Sequence, residues 1–233
     1  MKICGLTRSE DVSNAIDYGA DAVGFIFGYD TSPRNQTFEQ LEGLTMGVPP
    51  YVSIVVVSPS SNPELPRVIN EIRPSFLQLS SQNSDKTVRS VHPFNTRKFA
   101  DSTNIIETVH LTVDNNQSRA SVISECEKLS KYSRGILLDS ALIKPTSGTD
   151  GGGTIVKFGG SGVIHNWRLS KQVRNALHPF PVILAGGLNE QNVEDAIRAV
   201  KPFAVDVSSG VESKPGIKDK VKMRNFIQNA KAA

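Results

Sequence analysis

The stretch PVILAGGLNEQNVEDAIRAVKPFAVDVSSGVES, residues 181–213, decides the fold. PVILAGG (181–187) is a near-continuous apolar run closed by two glycines, the pattern of a parallel strand covered on both faces. NEQNVEDAIRAV (189–200) has helical period, and Asn189 stands as its cap directly after the Gly-Gly end. FAVDVSS (203–209) is a second apolar run, ending on two hydroxyls and a glycine. Strand, helix and strand in this order form a βαβ unit, whose crossover makes the strands parallel. Both strands end in residues that let backbone N–H groups converge on an anion, as the loops after the last two strands of an α/β barrel commonly do. Gly186, Gly187, Ser208, Ser209 and Gly210 are therefore candidate phosphate binders. The plainer reading is that these residues only terminate strands.

The same rhythm runs back through the chain. Candidate strands are 2–6, 21–27, 51–57, 75–80, 105–113 and 134–140, which with 181–187 and 203–209 make eight. Helical patterns fill most gaps: 9–19 with a Ser9 cap and a Gly19 stop, 62–72, 116–132, 189–200, and a closing helix in KDKVKMRNFIQNAKA. Eight β/α units in series predict a (β/α)8 TIM barrel, one domain over residues 1–233. An open doubly wound sheet is the alternative, and it needs a reversal of strand order that no sequence displays. Residues 81–104 hold only a weak helix signal, and 141–166 read as a long Gly-rich loop following strand six, on the face where barrels carry their sites.

Bulk properties narrow the function. Hydrophobic residues at 38% and charged residues at 21% describe an ordinary globular protein. The net charge of +3, with no dense Lys/Arg cluster, argues against a nucleic-acid partner. YVSIVVV (51–57), the most apolar stretch, is too short to span a bilayer, and MKICGLTRSED lacks the apolar core of a signal peptide. The expected setting is cytoplasmic, with Cys4 and Cys126 as reduced thiols.

Three side chains stand out as chemistry. Asp139 ends the apolar run GILLDS, and no helix follows for it to cap; desolvation at a barrel mouth raises a carboxyl's pKa and suits it to act as an acid. Lys2 and Cys4, two apart in KICGL, share one strand face, so an ammonium lies beside a thiol. Cys4 is then a buried structural thiol, a nucleophile or a general base. The four histidines offer it no recognisable partner in sequence, which weakens the nucleophile. Cys126 falls at helical spacing and reads as core. Metal-ligand spacings, a P-loop and a dinucleotide fingerprint are missing, and GGGTIVKFGG lacks the strand–turn–helix setting of a nucleotide loop.

These motifs together resemble the phosphoribosylanthranilate isomerase family of tryptophan biosynthesis. KICGLT, GADAVGFIF followed by SPR, LLDS, GGSG before Trp167, ILAGGLNEQNV and KPFAVDVSSGVESKPGIKD occur in the family's order, from residue 2 to about 220. The resemblance implies a (β/α)8 barrel and an Amadori rearrangement of a phosphosugar, with no metal or organic cofactor. It implies Cys4 as general base and Asp139 as general acid. It also implies Arg34 facing the anthranilate carboxylate, Asp206 near the anthranilate amine, Gly186, Gly187, Ser208, Ser209 and Gly210 on phosphate, and Gly160, Ser161 and Gly162 in a loop closing over substrate. A monomer or homodimer is expected. The chain departs from the family where QLHG reads QLSS, keeping Gln78 but placing Ser80 at the histidine, and where Asn166 replaces an acid before Trp167. Segment 141–158 is longer than usual. Two other readings stay open: a related isomerase of histidine biosynthesis, and a sugar-phosphate-binding barrel without catalysis.

Overall fold

The computed structural model describes residues 1–80, 103–112, 117–145, 154–158 and 166–233. Eight strands pair in parallel around a closed circuit: β1 (Lys2–Ile3), β2 (Ala22–Phe27), β3 (Ser53–Pro59), β4 (Phe76–Ser80), β5 (Ile105–Thr112), β6 (Gly135–Pro145), β7 (Val182–Leu184) and β8 (Ala204–Val207). Each strand pairs with the next, and β8 returns to β1 with Asp206 opposite Lys2. The expected barrel is the observed one. Closure removes both sheet edges, so even the two-residue β1 is hydrogen-bonded on either side.

Alternation along the strands sorts the side chains into two cores. Ile3, Val23, Phe25, Val56, Leu77, Leu79, Val205 and Val207 pack outward in one buried cluster with helix residues such as Val12, Leu41 and Phe226. Ile136, Leu138 and Val182 do the same against Val122, Cys126 and Val173. Cys126 is thus a core thiol as expected, and burial pushes it up to about 12. A small third cluster, Ile106, Leu137 and Ala185 with Phe76 and Ile183 against it, forms an apolar plug. Polar side chains of the same strands, Lys2, Gln78, Thr108 and Asp206, are buried too.

Helices α1 (Ser9–Asp17), α2 (Phe38–Thr45), α3 (Leu65–Arg67), α4 (Arg119–Leu129), α5 (Trp167–Leu177), α6 (Val193–Val200) and α7 (Lys220–Ala232) connect the strands. Four details differ from the sequence reading. Ser9 is the first helical residue rather than a cap; Asp11, one turn in, is buried and bonded to Arg8 at 2.7 and 2.9 Å. Helix α2 was not expected, although Thr37 and Gln40 form a capping box that announces it. Asn189 does not cap α6: its carboxamide oxygen accepts from the N–H groups of Gln191 and Asn192, closing a turn, and the helix begins at Val193. The region 141–166 is not all loop, because β6 runs on to Pro145 and pairs antiparallel with Thr154–Phe158. The expected closing loop at Gly160, Ser161 and Gly162 lies outside the described residues, as does the weak helix signal at 85–91. Among the described residues no helix is long and apolar enough to cross a membrane.

Candidate active site

Strand β1 places Lys2 and Cys4 on one face, while Ile3 between them packs outward with no exposure. Neighbouring β2 makes room with a glycine. A Cβ on Gly24 would lie 2.9 Å from Cys4 Sγ, 3.1 Å from its Cα and 3.2 Å from Lys2 Cε. Gly24→Ala therefore forces the pair apart, and an unfolding titration shows a loss of about 1–3 kcal/mol with a matching fall in turnover. Unchanged stability and turnover would mean that the strands yield there freely.

Lys2 is buried, and its ammonium is held from two sides. It lies 3.2 Å from Asp206 Oδ2 and donates to Gln78 Oε1. Gln78 in turn donates to Thr108 Oγ1 at 3.2 Å, so the cross-barrel chain is fixed from β8 through β1 to β5. Burial is the largest influence on Lys2 and works against its charge, but the Asp206 carboxylate and the Cys4 sulfur together outweigh it and hold the ammonium above its ordinary pKa. Burial pushes the Cys4 thiol up, and Lys2 and Lys218 pull it down without overcoming burial. Asp206 keeps its second oxygen, Oδ1, buried and, among the described residues, without a hydrogen-bond partner.

Asp139 lies on β6, 18% exposed, with Oδ1 accepting from the Ser140 N–H at 2.8 Å. Burial raises its pKa to about 7, against the Ser140 N–H and with help from the Asp206 charge. Its register partner on β5 is His110, whose Nδ1 is 4.0 Å from Asp139 Oδ2. Burial lowers this imidazole to about 4, so it stands beside the acid as a neutral ring. No histidine pairing was legible in sequence; this one follows from strand period, since Thr108 and His110 alternate on one face of β5.

Arg34 precedes the short strand Asn35–Gln36, which adds to β2. Its guanidinium grips Glu212 with two bonds of 2.8 and 2.6 Å, while Lys218 Nζ bonds Glu212 at 2.9 Å and the Ser208 carbonyl at 3.0 Å. Burial pulls Lys218 below its ordinary value against the pull of Glu212. Lys218 sits in the hairpin Glu212–Lys214/Ile217–Lys218, which Asp11 and Thr7 tie to the start of α1. Gly5, at φ 69°, lets these groups meet: a Cβ there would lie 2.6 Å from Arg34 Cδ and 2.7 Å from Ser208 Oγ. Glu212 and Lys218 escaped the sequence reading because they lie beyond the strands, in a hairpin without hydrophobic period.

The loops after β7 and β8 meet as expected. Gly186 and Gly187 take φ of 78° and 69°. A Cβ on Gly186 would lie 2.5 Å from the Ser140 nitrogen, and one on Gly210 would overlap the Leu188 carbonyl. Ser208 Oγ is buried without a partner among the described residues, and Ser209–Val211 form a single 3₁₀ turn. Asn166 caps α5 by accepting from the Arg168 N–H at 2.9 Å, so the amide that replaces an acid there still performs a helix-start role. Backbone at Ser80 continues β4.

A closed parallel barrel whose titratable groups gather on strand ends belongs to the (β/α)8-barrel class. The particular family follows from the whole chain. It belongs to the N-(5'phosphoribosyl)anthranilate (PRA) isomerase family, whose model matches residues 1–229. It is 36% identical over 232 residues to N-(5'-phosphoribosyl)anthranilate isomerase of Legionella pneumophila (strain Paris), covering 98% of this chain and 95% of that one. The crystal structure of phosphoribosyl anthranilate isomerase from Thermotoga maritima is 33% identical, with a TM-score of 0.78 and 100% and 98% of the two chains covered. A phosphoribosyl anthranilate isomerase solved in complex with reduced 1-(o-carboxyphenylamino)-1-deoxyribulose 5-phosphate matches at 30% identity and a TM-score of 0.76, covering 100% of this chain and 98% of that one.

Proposed function

We infer that this chain isomerises N-(5'-phosphoribosyl)anthranilate to 1-(2-carboxyphenylamino)-1-deoxyribulose 5-phosphate, the Amadori step of tryptophan biosynthesis. The observation that carries the reading is one barrel mouth holding a carboxyl that stays protonated up to about 7 together with a thiol beside a buried ammonium. Asp139 gives its proton to the ring oxygen, the C1′–O bond breaks, and an iminium forms at C1′. Cys4 as thiolate then takes the C2′ proton, and the electron pair runs into the iminium to give the enolamine. A proton passing from O2′ to C1′ yields the ketone. Each turnover therefore moves one proton from Asp139 to Cys4, which exchange with water restores. The iminium itself accepts the electrons, so the chemistry calls for no metal or organic cofactor.

Binding follows from the groups left without partners. Asp206 Oδ1 accepts the anthranilate N–H. Ser208 Oγ and the backbone of Gly186, Gly187, Ser209 and Gly210 receive the phosphate. Arg34 faces the anthranilate carboxylate with the guanidinium edge that Glu212 leaves open. Consumption of phosphoribosylanthranilate, followed by its fluorescence, tests the reading directly. Turnover of the corresponding aminoimidazole substrate of histidine biosynthesis instead, or tight binding without turnover, would overturn it.

The order of the two pKa values also sets a pH profile. The acid titrates at about 7 and the base above an ordinary thiol, so the competent pair, carboxyl and thiolate, is a minor form. Below about 7 its fraction rises with pH as thiolate forms. Above that point, loss of the carboxyl proton cancels the gain. The expected kcat/KM therefore rises to a plateau beginning near 7 and falls only through the thiol's own titration. A maximum well below 7 would contradict this order.

A further inference from the structure

We propose that Lys2 is a positioning residue for proton abstraction: its buried ammonium, clamped by Asp206 and Gln78 beside Cys4, holds the thiolate that takes the C2′ proton. The proposal rests on Cys4 being the base, and adds which group makes a thiolate there possible. A thiolate desolvated among strands needs a fixed positive charge, because burial at 6% exposure keeps most solvent from it. The clamp supplies that fixity. Asp206 Oδ2 lies 3.2 Å from Nζ, Gln78 Oε1 accepts a further N–H, and Gln78 is itself anchored on Thr108. An ammonium carries three N–H donors, so two are spent on the clamp and the third is available to sulfur.

The other charges around Cys4 do not serve as well. Lys218 acts from the hairpin, where Glu212 and the Ser208 carbonyl hold its Nζ and burial pulls it below its ordinary pKa, and its pull on the thiol ranks behind that of Lys2. Arg34 is engaged by Glu212 through two bonds. Asp206, on β8, opposes the thiolate while holding Lys2 in place, and Asp139 on β6 acts on Lys2 only at longer range. Gly24 on β2 brings no charge, only the space in which Nζ and Sγ come together.

Lys2 and Asp206 thus act on the thiol with opposite signs although they form one ion pair. That contrast makes the experiment decisive. The ultraviolet absorbance of the Cys4 thiolate is titrated in the substrate-free protein in a Cys126→Ala background, so that the buried thiol of the second core does not contribute. Lys2→Met lowers the thiolate fraction at a fixed pH by about tenfold, one pKa unit. Asp206→Asn raises it, because the repelling charge is gone while the carboxamide oxygen can still accept from the ammonium and keep it in place. A merely structural role breaks the same pair in both variants and moves both titrations in one direction; that result, or an unchanged Lys2→Met, overturns the proposal. Circular dichroism establishes that each variant folds. Should Lys2→Met fail to, an Asp206→Asn titration that is unchanged or moves the opposite way overturns it alone. Because the readout involves no turnover, it is separable from the base assignment, which only the activity of a Cys4 variant addresses.

Discussion

Cys4→Ser lowers kcat by about a thousandfold and leaves substrate binding nearly intact. The substitution keeps the shape of the side chain beside Lys2 and Gly24, so the barrel interior is not repacked. What changes is acidity. A thiol beside an ammonium yields enough thiolate to take the C2′ proton, whereas a serine hydroxyl stays protonated throughout the accessible range. Binding is retained because the groups assigned to phosphate and anthranilate lie on other strands. Steady-state turnover gives kcat, and titration of the variant with a reduced product analogue gives affinity. Full activity in Cys4→Ser would remove the thiol from the mechanism, and a loss confined to KM would make it a binding group.

Asp139→Asn inactivates the protein by a comparable factor and also stabilises it. The amide has no proton to give the ring oxygen, so ring opening slows; stopped-flow fluorescence measures that step. The stability gain follows from linkage. Folding raises this carboxyl from an ordinary 3.8 to about 7, so its contribution to stability is full below 3.8 and lost as pH rises through about 7. At pH 8 the native state thus bears a penalty of about 4 kcal/mol for ionising Asp139, and the amide removes it. At pH 5 the native carboxyl is protonated, and the advantage falls to about 2 kcal/mol.

His110 adds a check on sign. Its depressed pKa of about 4 means that stability is present above 6.5 and declines as pH falls toward 4. In the parent protein the two neighbours offset each other over this interval; in Asp139→Asn the histidine acts alone, and acid weakens the variant. Urea titrations at both pH values read the difference. A variant that is no more stable at pH 8 would show that Asp139 is an ordinary surface carboxylate. A variant that opens the ring at the parent rate would take the acid role from it.

The sequence by itself determined the barrel, because its two determinants are local. Apolar runs such as 181–187 and 203–209 mark doubly covered strands, and the helical patterns between them impose right-handed crossovers. Cys4, Asp139 and Gly186 stood out as candidates because each sits at or near a strand end, where a barrel keeps its chemistry, whereas Asp206 entered only through the family resemblance. Errors fell where no period operates. The ribbon from β6 to Phe158 looked like loop because glycines flank it, and α2 was passed over although Thr37 and Gln40 mark its start.

Only the tertiary structure decided the partnerships. Lys2 meets Asp206 across 204 positions of sequence, Arg34 meets Glu212 across 178, and His110 meets Asp139 through the β5–β6 register. Those pairs form because eight strands close into a ring, which brings the first strand against the last. Ionisation is set there as well. Whether Asp139 keeps its proton, and whether Cys4 can lose one, depends on burial and on charges supplied by other strands, and neither can be read from the residues next to them in the chain.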